Sequence, residues 1–297
     1  MSKILTRLLD AAHAIHTDAP DELAFIHTIL AQCCLPHRAP PLDARSWTRQ
    51  QGRAILHVQA GESWHPRTGS FVPIGLPYGA GARLILMHFN TEAVRNQSPV
   101  IEVESSLTAF VRRVKGYPPN GTEMRSFKEQ LARLSAATVR LALTDGEEHT
   151  LQRNINIVGA FDLWFPKNDQ QRVLWPTTVQ LSLDYFDSLS RHAVPLDERA
   201  IAALANSAMA LDLYCWLAQR LHRVPEKGQA IPWPALYDQF GQGYAQLRQF
   251  RAFFLKQLRN VQAVYQDAKF ETNASGMILR QSPPPVPKRL AQVTGDW

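Results

Sequence analysis

Cysteine is scarce in this sequence. Cys33, Cys34 and Cys215 are the three cysteines in 297 residues, and they form no Cys-x-x-Cys pair. An odd, sparse set of this kind argues against a disulfide framework and against a zinc site. We therefore expect reduced, structural cysteines. The histidines also lack metalloprotease spacing, and the sequence predicts neither a metal site nor a cofactor.

Signatures of catalysis are missing as well. The segment Gly116–Gly121, GYPPNG, begins like a phosphate-binding loop, but Thr122 and Glu123 stand where Lys and Ser/Thr are required. The segment therefore predicts a turn. No Gly-x-Ser-x-Gly nucleophile motif occurs. We find no catalytic constellation, and the sequence does not predict an enzyme.

Long apolar runs are absent. The longest, such as Met209–Leu217, are interrupted by polar residues well before the roughly 18 residues that a membrane span needs. The first residues lack the long apolar core of a secretory signal. Because 45% of the residues are hydrophobic and 20% are charged, we expect one large or two small folded domains. A cytosolic protein is the default expectation.

Acidic residues are rare in the C-terminal region. From Gln246 to Arg289, eight Lys and Arg face only Asp267 and Glu271, which accounts for the whole net charge of +6. A charge asymmetry confined to one part of a chain indicates a docking surface, most often for nucleic acid and less often for an anionic membrane.

An order of elements occurs twice in the hydrophobic pattern: helix, strand, helix, turn, helix, hairpin. The first copy is predicted as helix Tyr78–Arg95, strand Val100–Val103, helix Ser106–Val114, helix Met124–Thr138 and a hairpin of Val139–Leu143 and Thr150–Val158 around Asp145-Gly146. The second is predicted as helix Ala200–Arg223, strand Gln229–Ile231, helix Trp233–Phe240, helix Gln246–Gln266 and hairpin Ala268–Gln281.

This repetition predicts an α+β, mainly α fold with tandem winged-helix domains. The expected divisions are an N-terminal helical extension and linker (1–60), a first winged-helix domain (61–165), a second, DNA-binding winged-helix domain (166–283) and a disordered tail (284–297). Within the extension we expect helices Lys3–Ile15 and Asp21–Cys34 and a strand Arg53–Gln59; a strand Gly69–Ile74 follows it.

The third helix of the second copy has two contrasting faces. At about 100° per residue, its apolar residues fall in one stripe: Leu247, Phe250, Phe254, Leu258, Val261 and Tyr265. The opposite arc carries the candidate DNA-binding residues, namely Arg248, Gln249, Arg251, Ala252, Leu255, Lys256 and Arg259. Such a helix after a short helix and a glycine turn is typical of a recognition helix in the major groove. The alternative is a solvated basic face.

Two further basic groups belong to the predicted surface. Lys269 and Arg280 stand near the ends of the C-terminal hairpin, as in a wing that reaches a phosphate backbone, although a solvent-facing ribbon is the alternative.

In the first copy, the third helix carries the basic residues Arg125, Lys128 and Arg133. Since Glu129 interrupts that arc, this copy is either a weaker DNA binder or a unit for dimerisation and backbone contact.

The sequence resembles the family of plasmid-encoded RepA proteins, which are theta-type replication initiators. The resemblance is densest in five stretches: Leu35-Pro36-His37, RQQGR at 49–53, GLPYGAGARLILMHFNTEAVRN at 75–96, VIEVESSLTAFVRRV at 100–114 and MRSFKEQLARLSAATVRL at 124–141. It implies binding to direct repeats (iterons) in a plasmid origin and melting of adjacent AT-rich DNA. It also implies recruitment of the host replication initiator and the replicative helicase, and a homodimer in equilibrium with a monomer.

Other functions remain open at this stage. A DNA-binding transcriptional repressor without an initiation role has the same surface, and an adaptor for an acidic protein partner uses the same basic helix. Replication of a minimal origin plasmid separates the first alternative from an initiator, and retention on specific double-stranded DNA separates the second.

Overall fold

The protein is an α+β molecule in which helices predominate. The computed structural model describes residues 3–41, 43–65, 68–102, 107–144, 150–153, 157–161 and 178–287. The helices are α1 (Lys3–Thr17), α2 (Thr28–Gln32), α3 (Gly79–Asn96), α4 (Leu107–Lys115), α5 (Gly121–Ala136), α6 (Leu183–His192), α7 (Glu198–Leu204), α8 (Ala208–Arg220), α9 (Trp233–Phe240) and α10 (Leu247–Val264). No helix in these ranges is long and apolar enough to cross a membrane.

The strands are short and pair antiparallel. They are β1 (Leu23–His27), β2 (Ser46–Gln51), β3 (Ala54–Gln59), β4 (Glu62–His65), β5 (Ser70–Pro73), β6 (Val100–Glu102), β7 (Thr138–Thr144), β8 (Thr150–Arg153), β9 (Val158–Phe161), β10 (Thr178–Leu181), β11 (Ala193–Asp197), β12 (Gln229–Pro232), β13 (Phe270–Thr272) and β14 (Gly276–Leu279). Their sheet orders are β1-β11, β4-β5, β6-β10-β9, β2-β3-β7-β8 and β12-β14-β13.

Two helices form the centre of the molecule. Every residue of α8 except the first and last is buried, and α3 is buried over most of its length. A helix that is apolar nearly all round has to be covered on every side. Accordingly α3 packs against α5, α8 and β1, while α8 packs against α2 and α10.

The predicted helix Asp21–Cys34 is wrong in its first half. Residues 23–27 form β1, which pairs with β11 from Leu23 opposite Asp197 to His27 opposite Ala193. A short apolar run does not distinguish a strand from a buried helix. Here the choice is made by a partner strand about 170 residues away. The cysteines at the end of the segment are free and buried, as expected.

The segment before α8 also differs from its prediction. The expected single helix Ala200–Arg223 is two helices, because Ser207 adopts an extended conformation and its hydroxyl accepts a hydrogen bond from the Ala210 amide (3.2 Å). Such an N-cap starts a new helix. The sequence patterns also missed β10, α6 and β11, which lie between the two copies.

The two copies share the order of their elements but differ in strand pairing. In the second copy, β12 pairs directly with hairpin strand β14. In the first, β6 pairs with β10, while β7 and β8 extend the sheet of β2 and β3. The turn predicted at Asp145-Gly146 and most of the predicted tail lie outside the described residues. Each copy therefore has its own sheet arrangement.

Candidate nucleic-acid interface

A glycine turn sets the angle between α9 and α10. Pro234 lies in the first turn of α9, where a missing amide proton costs nothing. Gly243 has φ +91°, which favours glycine. The Tyr244 amide donates to the Gly241 carbonyl (3.1 Å), and the Tyr237 hydroxyl donates to the Tyr244 carbonyl. These contacts fix the entry of the chain into α10.

One face of α10 lies in the core, largely as the apolar stripe predicts. The buried members of the stripe are Phe250, Phe254, Leu258, Val261 and Tyr265. The expectation for Leu247 is wrong, because its side chain is 42% exposed. As the first residue of α10, Leu247 lies beside Trp233 and Ala274 in a cleft at the hairpin tip and does not reach the core.

The opposite face of α10 is basic and open. Arg248, Gln249, Ala252, Lys256 and Arg259 are exposed, and Arg251 and Leu255 are half-buried. Leu255 packs against the core, so only part of its side chain faces outward. Within the described ranges none of the four cations forms an ion pair with a carboxylate. Their positive charge is therefore available to an external anion.

Arg251 is held between α9 and the tip of the hairpin. Its guanidinium carbon lies 4.8 Å from the centroid of the Trp233 ring, and its Nη2 donates to the Asn273 carbonyl (3.1 Å). The Trp233 indole donates to the same carbonyl (3.0 Å). Stacking on an aromatic face and a hydrogen bond together orient a guanidinium. No sequence pattern indicates this arrangement, because Trp233 and Asn273 come from different elements.

The hairpin places its two predicted cations differently. Lys269 is exposed, whereas Arg280 forms an ion pair with Glu271 across the hairpin (3.3 Å). At the tip, the Asn273 side chain accepts hydrogen bonds from the amides of Ser275 (2.8 Å) and Gly276 (3.0 Å). An asparagine turn of this type shapes a tip without further side chains. Lys269 therefore has a positive charge without an ion-pair partner among the described residues, whereas the charge of Arg280 is partly neutralised by Glu271.

The basic residues of α5 are unequal. The Arg133 Nη2 lies 2.7 Å from the Glu129 carboxylate, and its Nη1 donates to the Leu76 carbonyl (3.0 Å). Arg125 and Lys128 are exposed and form no ion pair in the described part of the chain. Helix α5 therefore exposes two free cations, against three exposed cations and one half-buried cation on α10.

A buried polar cluster joins α3, α8 and the segment after α2. Cys34, His37 and Asp212 bring their ligand atoms within 4.8 Å of one another, as metal ligands do. However, both oxygens of Asp212 accept from Arg83 (2.6 and 2.7 Å), and one also contacts His37 Nε2 (2.7 Å). Burial alone would raise the pKa of Asp212, but Arg83 and His37 hold the pKa at about 2. The arrangement is a buried ion pair.

Comparison with known proteins identifies the family. Residues 76–235 match the family model described as plasmid encoded RepA protein. The chain belongs to the plasmid-encoded RepA family. The match extends from just before α3 into α9 and ends before α10, so the basic face of this RepA family member is assigned from its geometry. No sequence among the curated proteins matches the chain.

Two solved structures share the fold of this RepA family member. One is a crystal structure of domains 2–3 of RctB, with a TM-score of 0.51 and 11% identity, covering 84% of this chain and 94% of that chain. The other contains selenomethionine derivatives of domain 2 and domain 3 of RctB, with a TM-score of 0.52 and 12% identity, covering 86% and 98%. At such identities the likeness concerns the fold alone.

Proposed function

We propose that this protein is a plasmid replication initiator that binds iteron-type direct repeats at the plasmid origin. The protein binds double-stranded DNA in a sequence-specific manner. Local melting of the origin follows, and the host replication initiator and the replicative helicase are recruited. Membership of the RepA family supports the initiator role. The observation that supports DNA binding is the basic face of α10, which is open and unpaired with carboxylates in the described residues.

In this proposal β12, α9, α10, β13 and β14 form a winged helix. The short helix, the glycine turn and the long amphipathic helix follow the order of a helix-turn-helix unit. The sheet order is β12-β14-β13, and the tip of the β13–β14 hairpin lies beside α10, where Arg251 donates to the Asn273 carbonyl. Inserted into the major groove, α10 presents its cations to bases and phosphates. The first copy is a second, weaker winged helix or a dimerisation unit.

The chain acts in this role without catalysing a reaction or using a cofactor. Arginine, lysine and glutamine side chains supply the hydrogen bonds and charges that DNA recognition needs. Homodimers in equilibrium with monomers fit the same role, since repeated DNA sites accept either state. A cytoplasmic location follows from the DNA target.

Salt dependence tests the DNA-binding step. With about six phosphate contacts, the slope of log K against log salt is near −5, and affinity falls about a thousandfold between 50 and 200 mM salt. The measurement is a titration of origin DNA and of random DNA with the full chain. A flat response would show that the basic face does not contact DNA.

A DNA-binding transcriptional repressor of its own promoter is the second candidate, because α10 serves both roles equally. A plasmid carrying only the origin, with this gene supplied in trans, distinguishes them. Replication supports the initiator. Specific binding without replication in the native host supports the repressor.

A further inference from the structure

A second basic surface borders α10 on the side away from the hairpin. A cleft of about 540 Å³ lies between α1, the turn joining α7 to α8, and α10. Most of its lining is apolar, its polar side chains include His37 and Asn260, and its charged side chains are Arg38 and Lys256, both exposed at the rim. Among the described residues, no aspartate or glutamate lines the cleft. The rim therefore favours an anion.

Arg38 reaches this rim from a distant part of the sequence. It belongs to the segment between α2 and β2, is exposed, and places its guanidinium carbon 4.9 Å from the centroid of the Tyr244 ring. Tyr244 itself packs against Phe250 and Phe253 of α10 at centroid distances of 5.8 and 5.9 Å. The aromatic contacts hold the charge of Arg38 beside the start of α10. Neither Arg38 nor Lys256 forms an ion pair in the described ranges.

The two flanks of the basic face carry different cations. Arg251 and Lys256 are five residues apart, which places them about 140° apart around the helix. Arg251 lies on the flank that meets the hairpin tip, and Lys256 lies on the flank that meets the cleft. The major groove is about 12 Å wide, so a helix inside it has one phosphate backbone on each side.

We propose that Arg38 and Lys256 contact the phosphodiester backbone of duplex DNA on the cleft side of α10, opposite the backbone that the hairpin meets. The inference rests on the proposed function and extends the interface to the N-terminal third of the chain. Phosphate contacts fix the register of a protein on its site and carry no direct base information. Arg38 is therefore a positioning contact for α10.

The test compares salt dependence in full-length variants. Arg38→Gln removes one charge, Arg38→Lys keeps it, and Arg191→Gln is the control, since Arg191 is an exposed cation on α6. For Arg38→Gln we expect the slope of log K against log salt to become shallower by about 0.9. The loss of affinity between 50 and 200 mM salt then becomes about 3.5-fold smaller than in the native protein. Arg38→Lys and the control keep the native slope.

A phosphate contact also predicts an affinity loss that is independent of the DNA sequence. Arg38→Gln is expected to weaken binding equally on origin DNA and on random DNA. Lys256→Gln, at an exposed helix position, gives the same readout if Arg38→Gln does not fold, as judged by circular dichroism. If the native protein binds with a steep slope and folded Arg38→Gln keeps that slope, this inference is wrong and the proposed function stands; the cleft then fits an acidic protein partner. If the native protein does not bind DNA, both proposals fail.

Discussion

Arg83 connects residues that carry the family resemblance. Its guanidinium donates to the carbonyls of Leu35 (2.6 Å) and Pro36 (3.2 Å) while it pairs with Asp212. Asp212 also contacts His37, so the Leu35-Pro36-His37 stretch is attached to both central helices. A buried pair of this kind is costly to break, because removing one partner leaves an uncompensated charge. These motif residues thus link the segment after α2 to both central helices.

At the same scale, the structure separates the two arginines at the start of α10. Arg251 is oriented by Trp233 and Asn273, whereas Arg248 is exposed. An oriented guanidinium loses less entropy when it binds a guanine edge. We therefore expect Arg251→Ala to cost about 1 to 3 kcal/mol on the cognate site. We expect Arg248→Ala to weaken binding to all sequences.

The measurement is the ratio of dissociation constants on cognate and scrambled duplexes. Arg251→Ala is expected to lower that preference by about 5- to 150-fold, which corresponds to the same free energies. Arg248→Ala leaves it unchanged. Equal weakening on every duplex by Arg251→Ala would reduce that residue to a phosphate contact.

At the scale of elements, the hairpin depends on one close approach. A Cβ on Gly276 would lie 2.1 Å from the Ile231 carbonyl oxygen, so any side chain there pushes β14 away from β12. Overpacking of this kind costs about 1 to 3 kcal/mol. We expect Gly276→Ala to lower the free energy of unfolding by that amount. DNA binding weakens with it, because the displaced tip no longer orients Arg251.

Gly121 provides the matched control for that substitution. It lies in the first turn of α5 and has no positive φ. A Cβ added at this position would have no neighbouring atom within 4 Å. Gly121→Ala is therefore expected to leave stability unchanged or to raise it by about 0.4 to 1 kcal/mol. Urea unfolding of both variants checks the pair. Equal stability for Gly276→Ala and the native protein would show that β14 adapts without loss.

The N-terminus of α5 shows how local chemistry sets the boundary of a helix. The Asn120 side chain accepts from the Glu123 amide (2.9 Å), and the Glu123 carboxylate accepts from the Asn120 amide (3.0 Å), so α5 begins at Gly121. This capping box is readable in the sequence as N-G-T-E. The periodicity alone placed the start at Met124. The segment Gly116–Asn120 is the turn that the defective phosphate-loop pattern predicts.

At the scale of the whole molecule, the proposed function predicts how long a stretch of DNA the chain protects. Two helix-turn-helix units on one face of a duplex have centres about 34 to 36 Å apart. A tandem binder is therefore expected to protect roughly 20 base pairs. Hydroxyl-radical footprinting upstream of the gene measures this length.

The α5 residues define the control for the footprint. Arg125→Gln with Lys128→Gln removes the two exposed cations of α5, while Arg133 remains with Glu129. We expect loss of protection in one half-site and its persistence in the other. A native footprint confined to one half-site would instead assign the first copy to protein contacts.

Periodicity and composition were enough to predict much of the chain. They predicted the α+β class, α1, most of the helices between 79 and 136, the C-terminal order of short helix, glycine turn, long helix and hairpin, and the two-faced character of α10. These features follow from contacts within a few turns or across one hairpin, where spacing along the sequence translates directly into spacing in space.

Only the tertiary structure decided which distant segments meet. Some of the contacts join segments up to about 200 residues apart. They are the pairing of β1 with β11, the pairing of β6 with β10, the contacts of Arg251 with Trp233 and Asn273, and the position of Arg38 beside α10. The preference of a residue for helix or strand does not predict such contacts. Their free energy comes from surfaces that are buried together only when the whole chain has folded.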